Sequence, residues 1–210
     1  MGPQGGQGHH AHRRLARAGL TRAAVETMTG KSREQLLEEV VSLELRMFMV
    51  IEPVIPSACQ EQPEAFKLMR AASHAVLSDE TLESYLNDLE EAVDESRNLV
   101  ELKYARIDHL IPALSDSPLI DEIVETESAW LKELEQKYPN TFVGRSDFAI
   151  STYLRSELET YSDRTLQLYH KDIQKAKEEG RNLVGERYTY LFQQIGYDSI
   201  EAMEQERKKG

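Results

Sequence analysis

With one cysteine in 210 residues, Cys59, the chain has no material for an internal disulfide framework or a multi-cysteine zinc or iron–sulfur site. A reducing, cytoplasmic setting is the simple expectation. No apolar run approaches the length of a membrane span, and the basic N-terminus carries no apolar stretch leading to a cleavage site, so a soluble protein without a membrane partner is expected. Beyond the first 33 residues negative charge outweighs positive. Those residues hold six Arg or Lys against Glu26, so that of the net charge of −12 the remainder, 34–210, carries −17. Such a field repels phosphate backbones, which disfavours nucleic acid as a partner, and it favours cationic or neutral ligands. Runs of alternating β-branched residues are missing as well. Apolar residues recur instead at steps of three and four, which makes the chain all-α.

What is present is a sequence that says nearly the same thing twice, about 84 residues apart. Ser78, Asp79, Thr81, Leu82, Tyr85, Asp88, Leu89, Ala92, Arg97, Asn98, Leu99, Val100 and Tyr104 return as Ser162, Asp163, Thr165, Leu166, Tyr169, Asp172, Ile173, Ala176, Arg181, Asn182, Leu183, Val184 and Tyr188. Upstream, Leu36 to Glu44 find counterparts in Leu119 to Glu127, with the offset slipping by one residue. The expectation is an internally duplicated helical bundle, two similar halves of about four helices each, related by a pseudo-twofold axis. Residues 1–31 read as a Gly-, Gln- and His-rich tail, 32–210 as one domain with halves near 32–112 and 115–197, and 199–208 as a short closing helix.

Ser32 and Gln35 form a capping box ahead of Leu36, Val40, Val41 and Phe48, and Pro53 is expected to halt that helix. Its twin starts with Ser117 as cap and Pro118 at the first helical position. Ser78 and Ser162 cap the strongest repeated helices. Gly180 breaks the second of these from its successor, with Ser96 at the same place in the first half.

Candidate chemistry follows the doubled positions. Glu44 and Glu127 sit beside the apolar stripes of the two opening helices, where a pair of carboxylates would raise each other's pKa or bind a cation, and they are the candidate catalytic residues. Cys59, ahead of a helix, is the candidate nucleophile, although no histidine partner is identifiable and a lone buried cysteine also serves as a small hydrophobe. Tyr85 with Asp88 and Tyr169 with Asp172 share a helical face, where a carboxylate could hold the tyrosine hydroxyl for proton relay or ligand contact. Arg97, Asn98, Arg181 and Asn182 complete the ligand-binding candidates; in the alternative, the same set of polar residues holds the fold together. A di-iron helical-bundle site needs Glu three residues before His, a spacing absent here, so no metal and no cofactor are assigned.

At these residues the chain resembles the domain-of-unknown-function family 4125 of bacteria and fungi. The resemblance is carried by Glu44 to Phe48, Ala58-Cys59-Gln60, Phe66, Met69 and Arg70, Ser84 to Leu89, Arg97-Asn98-Leu99 and Lys103 to Arg106. It continues through Tyr153-Leu154-Arg155, Tyr161-Ser162-Asp163, Thr165-Leu166 and Gly180 to Leu183. The family's cysteine loop carries a Gly-Arg pair that Ile55-Pro56 replaces here. The resemblance implies a small cytosolic helical protein, and it extends to fungal enzymes that make arginine-containing cyclic dipeptides from aminoacyl-tRNA. The acidic body speaks against tRNA. A cationic or amine-bearing small molecule suits it better, because carboxylates pair with such groups. The leading expectation is therefore a small-molecule enzyme or binder with an acidic cleft between the halves. The alternatives are a noncatalytic helical interaction or scaffold protein and, less favoured, an aminoacyl-tRNA-dependent cyclodipeptide synthase.

Overall fold

A computed structural model describes residues 30–51, 62–142 and 147–209, with the side chains of 147–149 left out. One compact unit begins at Arg33. Cys59, the proline loop around it and most of the N-terminal tail lie outside the described residues. Among those described there are nine helices and no strand. They are α1 (Arg33–Met49), α2 (Pro63–His74), α3 (Asp79–Asp94), α4 (Leu99–Ile107), α5 (Pro118–Lys137), α6 (Asp147–Leu158), α7 (Asp163–Glu178), α8 (Leu183–Gln194) and α9 (Ile200–Arg207). No helix among them is long and apolar enough to cross a membrane.

The three-and-four spacing of apolar residues becomes burial. Leu36, Val40, Leu82, Leu89, Ile123, Leu166 and Ile173 are at most 1% exposed. Each such side chain contributes about 1.5–3 kcal/mol through removal from water. At the centre α3 packs on α7. There Ser84 Oγ and Thr165 Oγ1 share a hydrogen bond of 2.7 Å, and Tyr161, which follows α6, packs against Tyr85 of α3 at 4.4 Å between ring centroids.

Around this pair, α1 packs on α2, α3 and α4, while α5 packs on α6, α7 and α8. The second helix of each group crosses to the fourth helix of the other: α2 packs on α8, and α6 on α4. Residues of α2 and α8, which are distant in sequence, thereby meet over a common space.

Capping chemistry sets most boundaries as the sequence predicts. Ser78 accepts from the Thr81 N–H and Ser162 from the Thr165 N–H. Asn98 and Asn182 cap α4 and α8 in the same way. Ser96 (φ 58°) and Gly180 (φ 66°) both take the left-handed conformation just past their helices. In each case the next N–H closes the end, Arg97 onto the Ala92 carbonyl at 2.7 Å and Arg181 onto Ala176 at 2.8 Å. One expectation needs correction. Ser117 stands at the N-cap of α5 but its hydroxyl makes no capping bond, so Pro118 supplies the start by its preset φ. The first helix, α1, ends at Met49, where the Ile51 N–H turns back onto the Phe48 carbonyl at 3.2 Å, and Pro53 lies outside the described residues.

Candidate functional site

Glu44 on α1 is 1% exposed, yet it is ionised in company. Arg70 of α2 grips it side-on, Nε to Oε2 at 2.8 Å and Nη2 to Oε1 at 2.7 Å. Tyr85 of α3 donates its hydroxyl to Oε1 at 2.8 Å, and His74 Nε2 lies 3.2 Å from both carboxylate oxygens. The other end of the same guanidinium reaches Glu157 of α6, at 2.8 Å from Nη1 and 2.9 Å from Nη2. Lys103 of α4 adds a second cation to Glu157 at 3.2 Å, and Tyr161 donates to it at 3.2 Å. Five helices meet in this one ion cluster. Burial by itself would raise the Glu44 pKa, but Arg70 and His74 outweigh it and hold the carboxyl well below its ordinary value. Glu157 is likewise lowered: its burial is outweighed by Arg70 and Lys103. The Tyr85 and Tyr161 hydroxyls move the other way, raised by burial and by the carboxylates beside them.

The second cluster is smaller. Glu127 of α5 accepts from Arg187 of α8 at 2.8 and 3.0 Å, and the Tyr169 hydroxyl of α7 donates to Glu127 Oε1 at 2.5 Å. Arg187 Nη2 also donates to the Tyr169 oxygen at 3.0 Å. Burial, with Glu127 adding to it, raises Tyr169 well above the ordinary tyrosine value.

Between the clusters, among α2, α5, α6, α7 and α8, lies a cavity of about 400 Å³, a volume suited to a small organic ligand. His74, Glu157 and Tyr161 of the first cluster form one part of its wall, and Glu127, Tyr169 and Arg187 another. The rest is mainly apolar, with Ala72, Leu131, Ile150, Leu154, Val184 and Leu191. At Met69 and Tyr153, 54% and 38% exposed, the described lining reaches the surface.

The candidates read from sequence fall in three places. Glu127 and Tyr169 line the cavity, whereas Glu44 and Tyr85 stand behind it, in contact with its wall through His74 and Arg70. Glu44 and Glu127 stand in separate clusters, each held by its own arginine, and the Glu44 pKa moves down because Arg70 and His74 are beside it. Asp88 and Asp172 do not hold the neighbouring tyrosines, whose hydroxyls turn to Glu44 and Glu127. They reach across the central helix pair instead, Asp88 accepting from the Ser162 N–H at 3.1 Å and Asp172 from the Ser78 N–H at 2.9 Å. With Arg97 and Arg181 they line two separate surface grooves. Arg97 pairs there with Glu95, and Arg181 with Glu179 and Glu186. Asn98 and Asn182 cap helices and tie back to the carbonyls of Met47 and Trp130 at 2.8 and 3.1 Å.

Six residues of the clusters were not among the site candidates: Arg70, His74, Lys103, Glu157, Tyr161 and Arg187, of which Arg70, Lys103 and Tyr161 stood only among the residues that carry the family resemblance. A signal existed for two. Lys103 and Arg187 are cations at the same repeated place, about 84 residues apart. Arg70 and Glu157 carry charge inside otherwise apolar helical stripes, a pattern that marks a buried ion pair once the partner helix is known.

Residues 34–205 match the family described as protein of unknown function (DUF4125). No curated protein and no solved structure matches the chain.

Proposed function

The chain belongs to this family, and we propose that it binds a small molecule in the cavity between the Glu44–Arg70–Glu157 and Glu127–Arg187 clusters, as an enzyme or as a binder. The observation that carries the reading is the cavity itself: a mainly apolar space of about 400 Å³ on which titratable groups from five helices, and Tyr161 following one of them, converge. His74 and Arg187 line this space from different helices, one ring held by a buried carboxylate and one guanidinium held by another. Such a wall supplies a proton acceptor and a hydrogen-bond donor to whatever occupies it. A purely structural role would leave the clusters joined under a closed core.

The test is ligand-detected NMR with a fragment library, run on the native chain and on Ser128→Trp, which places a ring in the cavity from α5. Fragments that bind the native chain and are lost in the variant support the reading. No binding, or binding indifferent to the added ring, removes it.

We also infer that α1–α4 and α5–α8 arose by duplication. Exchanging one group for the other leaves the pattern of helix packing unchanged. The paired caps, the crossing Asp88 and Asp172 bonds and the two left-handed helix ends recur in register with the sequence repeat.

A further inference from the structure

We propose that His74 exchanges a proton with the ligand through Nδ1, and that the ligand is a largely apolar molecule carrying a weakly acidic hydroxyl; the inference rests on the cavity-binding reading and names the class of ligand. The outer nitrogen of the ring is already engaged. His74 Nε2 lies 3.2 Å from both oxygens of Glu44 and 3.0 Å from Arg70 Nη2. That Nη2 carries two hydrogens, and its shorter contacts, 2.7 Å to Glu44 and 2.9 Å to Glu157, take both. Arg70 has none left for His74, so Nε2 keeps its own hydrogen and donates it to the ionised Glu44. The Tyr85 ring, 5.2 Å away between centroids, packs beside the imidazole. The proton that comes and goes on this ring is therefore the one on Nδ1.

Every hydrogen bond of His74 runs through Nε2, which leaves Nδ1 without a partner. Although the residue is only 1% exposed, this nitrogen is not sealed in, because among the described residues Arg187 Nε alone is buried without a partner. Nδ1 opens onto free space, and the space that His74 lines is the cavity. A buried ring gripped at one nitrogen and open at the other is placed to pass a proton to or from what lies beside it.

Charge selects the ligand. Glu44, Glu127 and Glu157 are already met by Arg70, Lys103 and Arg187, so the remaining balance is struck between His74 and the ligand. A weak oxygen acid suits the ring in either form. A hydroxyl that meets the neutral imidazole breaks its O–H bond and the proton forms an N–H bond at Nδ1; its anion, meeting the imidazolium, accepts from the Nδ1–H already there. Both routes end in the same pair of anion and imidazolium. An ammonium suits neither form, because it adds a buried positive charge when every carboxylate is taken. The apolar lining receives the rest of the molecule.

Two probes separate the cases: para-nitrophenol, whose anion absorbs visible light, and para-nitroanisole, the same molecule with its hydroxyl methylated. Titrated into the native chain at a pH below the midpoint of the free phenol, para-nitrophenol is expected to bind about tenfold or more tightly than the ether, and to show the band of its anion once bound. His74→Phe keeps an aromatic ring but has no nitrogen, and it should abolish both the preference and the band. The comparison on the native chain stands even where the variant folds poorly. Equal or weaker binding of the phenol, binding of neither probe, a bound phenol without the band, or a preference or band that survives in His74→Phe overturns the role of His74. The cavity reading is judged separately, by whether binding of any fragment is lost in Ser128→Trp.

Discussion

In α1–α4 the buried carboxylate Glu44 takes its cation from the second helix, as Arg70; in α5–α8 the corresponding Glu127 takes its cation from the fourth, as Arg187. About 84 residues beyond Arg70 stands Leu154, and as far beyond Lys103 stands Arg187. Where Arg70 fills the space between Glu44 and Glu157, Leu154 lines a cavity, and where Lys103 serves Glu157, Arg187 serves Glu127. The same packing of helices thus supports a fully engaged ion cluster on one side and a partly engaged one, with room beside it, on the other. The helix ends differ in the same spirit. Gly180 adopts its left-handed conformation without strain, while Ser96 does so against the preference of its Cβ.

Three experiments would break or sharpen this comparison. The largest effect is expected at the ion clusters. Arg70→Met leaves two carboxylates buried without their shared partner and should cost about 3–5 kcal/mol in urea denaturation, a large share of the roughly 5–15 kcal/mol of an ordinary chain. Arg187→Met should cost about 1–3 kcal/mol in urea denaturation, because its side chain is 19% exposed and only one carboxylate depends on it. Equal costs would show that the two clusters are equally committed to the fold.

Acid should act next, and through the first cluster. Glu44 and Glu157 have folded pKa values below the ordinary 4.5, so the unfolded chain takes up protons first. Their contribution is complete above the ordinary carboxylate range and is lost as pH falls below about 4.5, by up to about 1.4 kcal/mol per pH unit for each group. Glu44→Gln should remove one proton from that slope. A variant with the native acid profile would mean that Glu44 is not stabilised as an anion.

The smallest effect is at the helix ends. Ser96→Gly should stabilise by about 1 kcal/mol and Gly180→Ser destabilise by a similar amount, read as opposite shifts in the thermal midpoint. Shifts of one sign would show that the two turns are not equivalent in strain.

Much of the fold was written locally. The three-and-four spacing of Leu36, Val40, Leu82 and Leu89, the caps Ser78, Ser162, Asn98 and Asn182, and the turn at Gly180 act within a few residues of themselves, so their sequence context is enough to place them. The doubled order also marked Glu44, Glu127, Tyr85 and Tyr169 as a related set. It misdirected the reading of Asp88 and Asp172, because a shared helical face makes contact possible without deciding it. Tyr85 and Tyr169 turn inward to carboxylates on α1 and α5, while both aspartates turn to the N–H groups of the opposite central helix.

By itself, then, the sequence determined that the chain is helical, where most helices begin and end, and which positions are alike. Only the tertiary structure decided which charges meet. Arg70 lies 26 residues from Glu44 and 87 from Glu157, and Arg187 lies 60 residues from Glu127. These pairs depend on α2 crossing to α8 and α6 to α4, a choice made by packing across the whole core. The cavity is lined by residues of five helices, among them Leu154 of α6 where α2 carries Arg70, and such a lining appears only once those helices are packed.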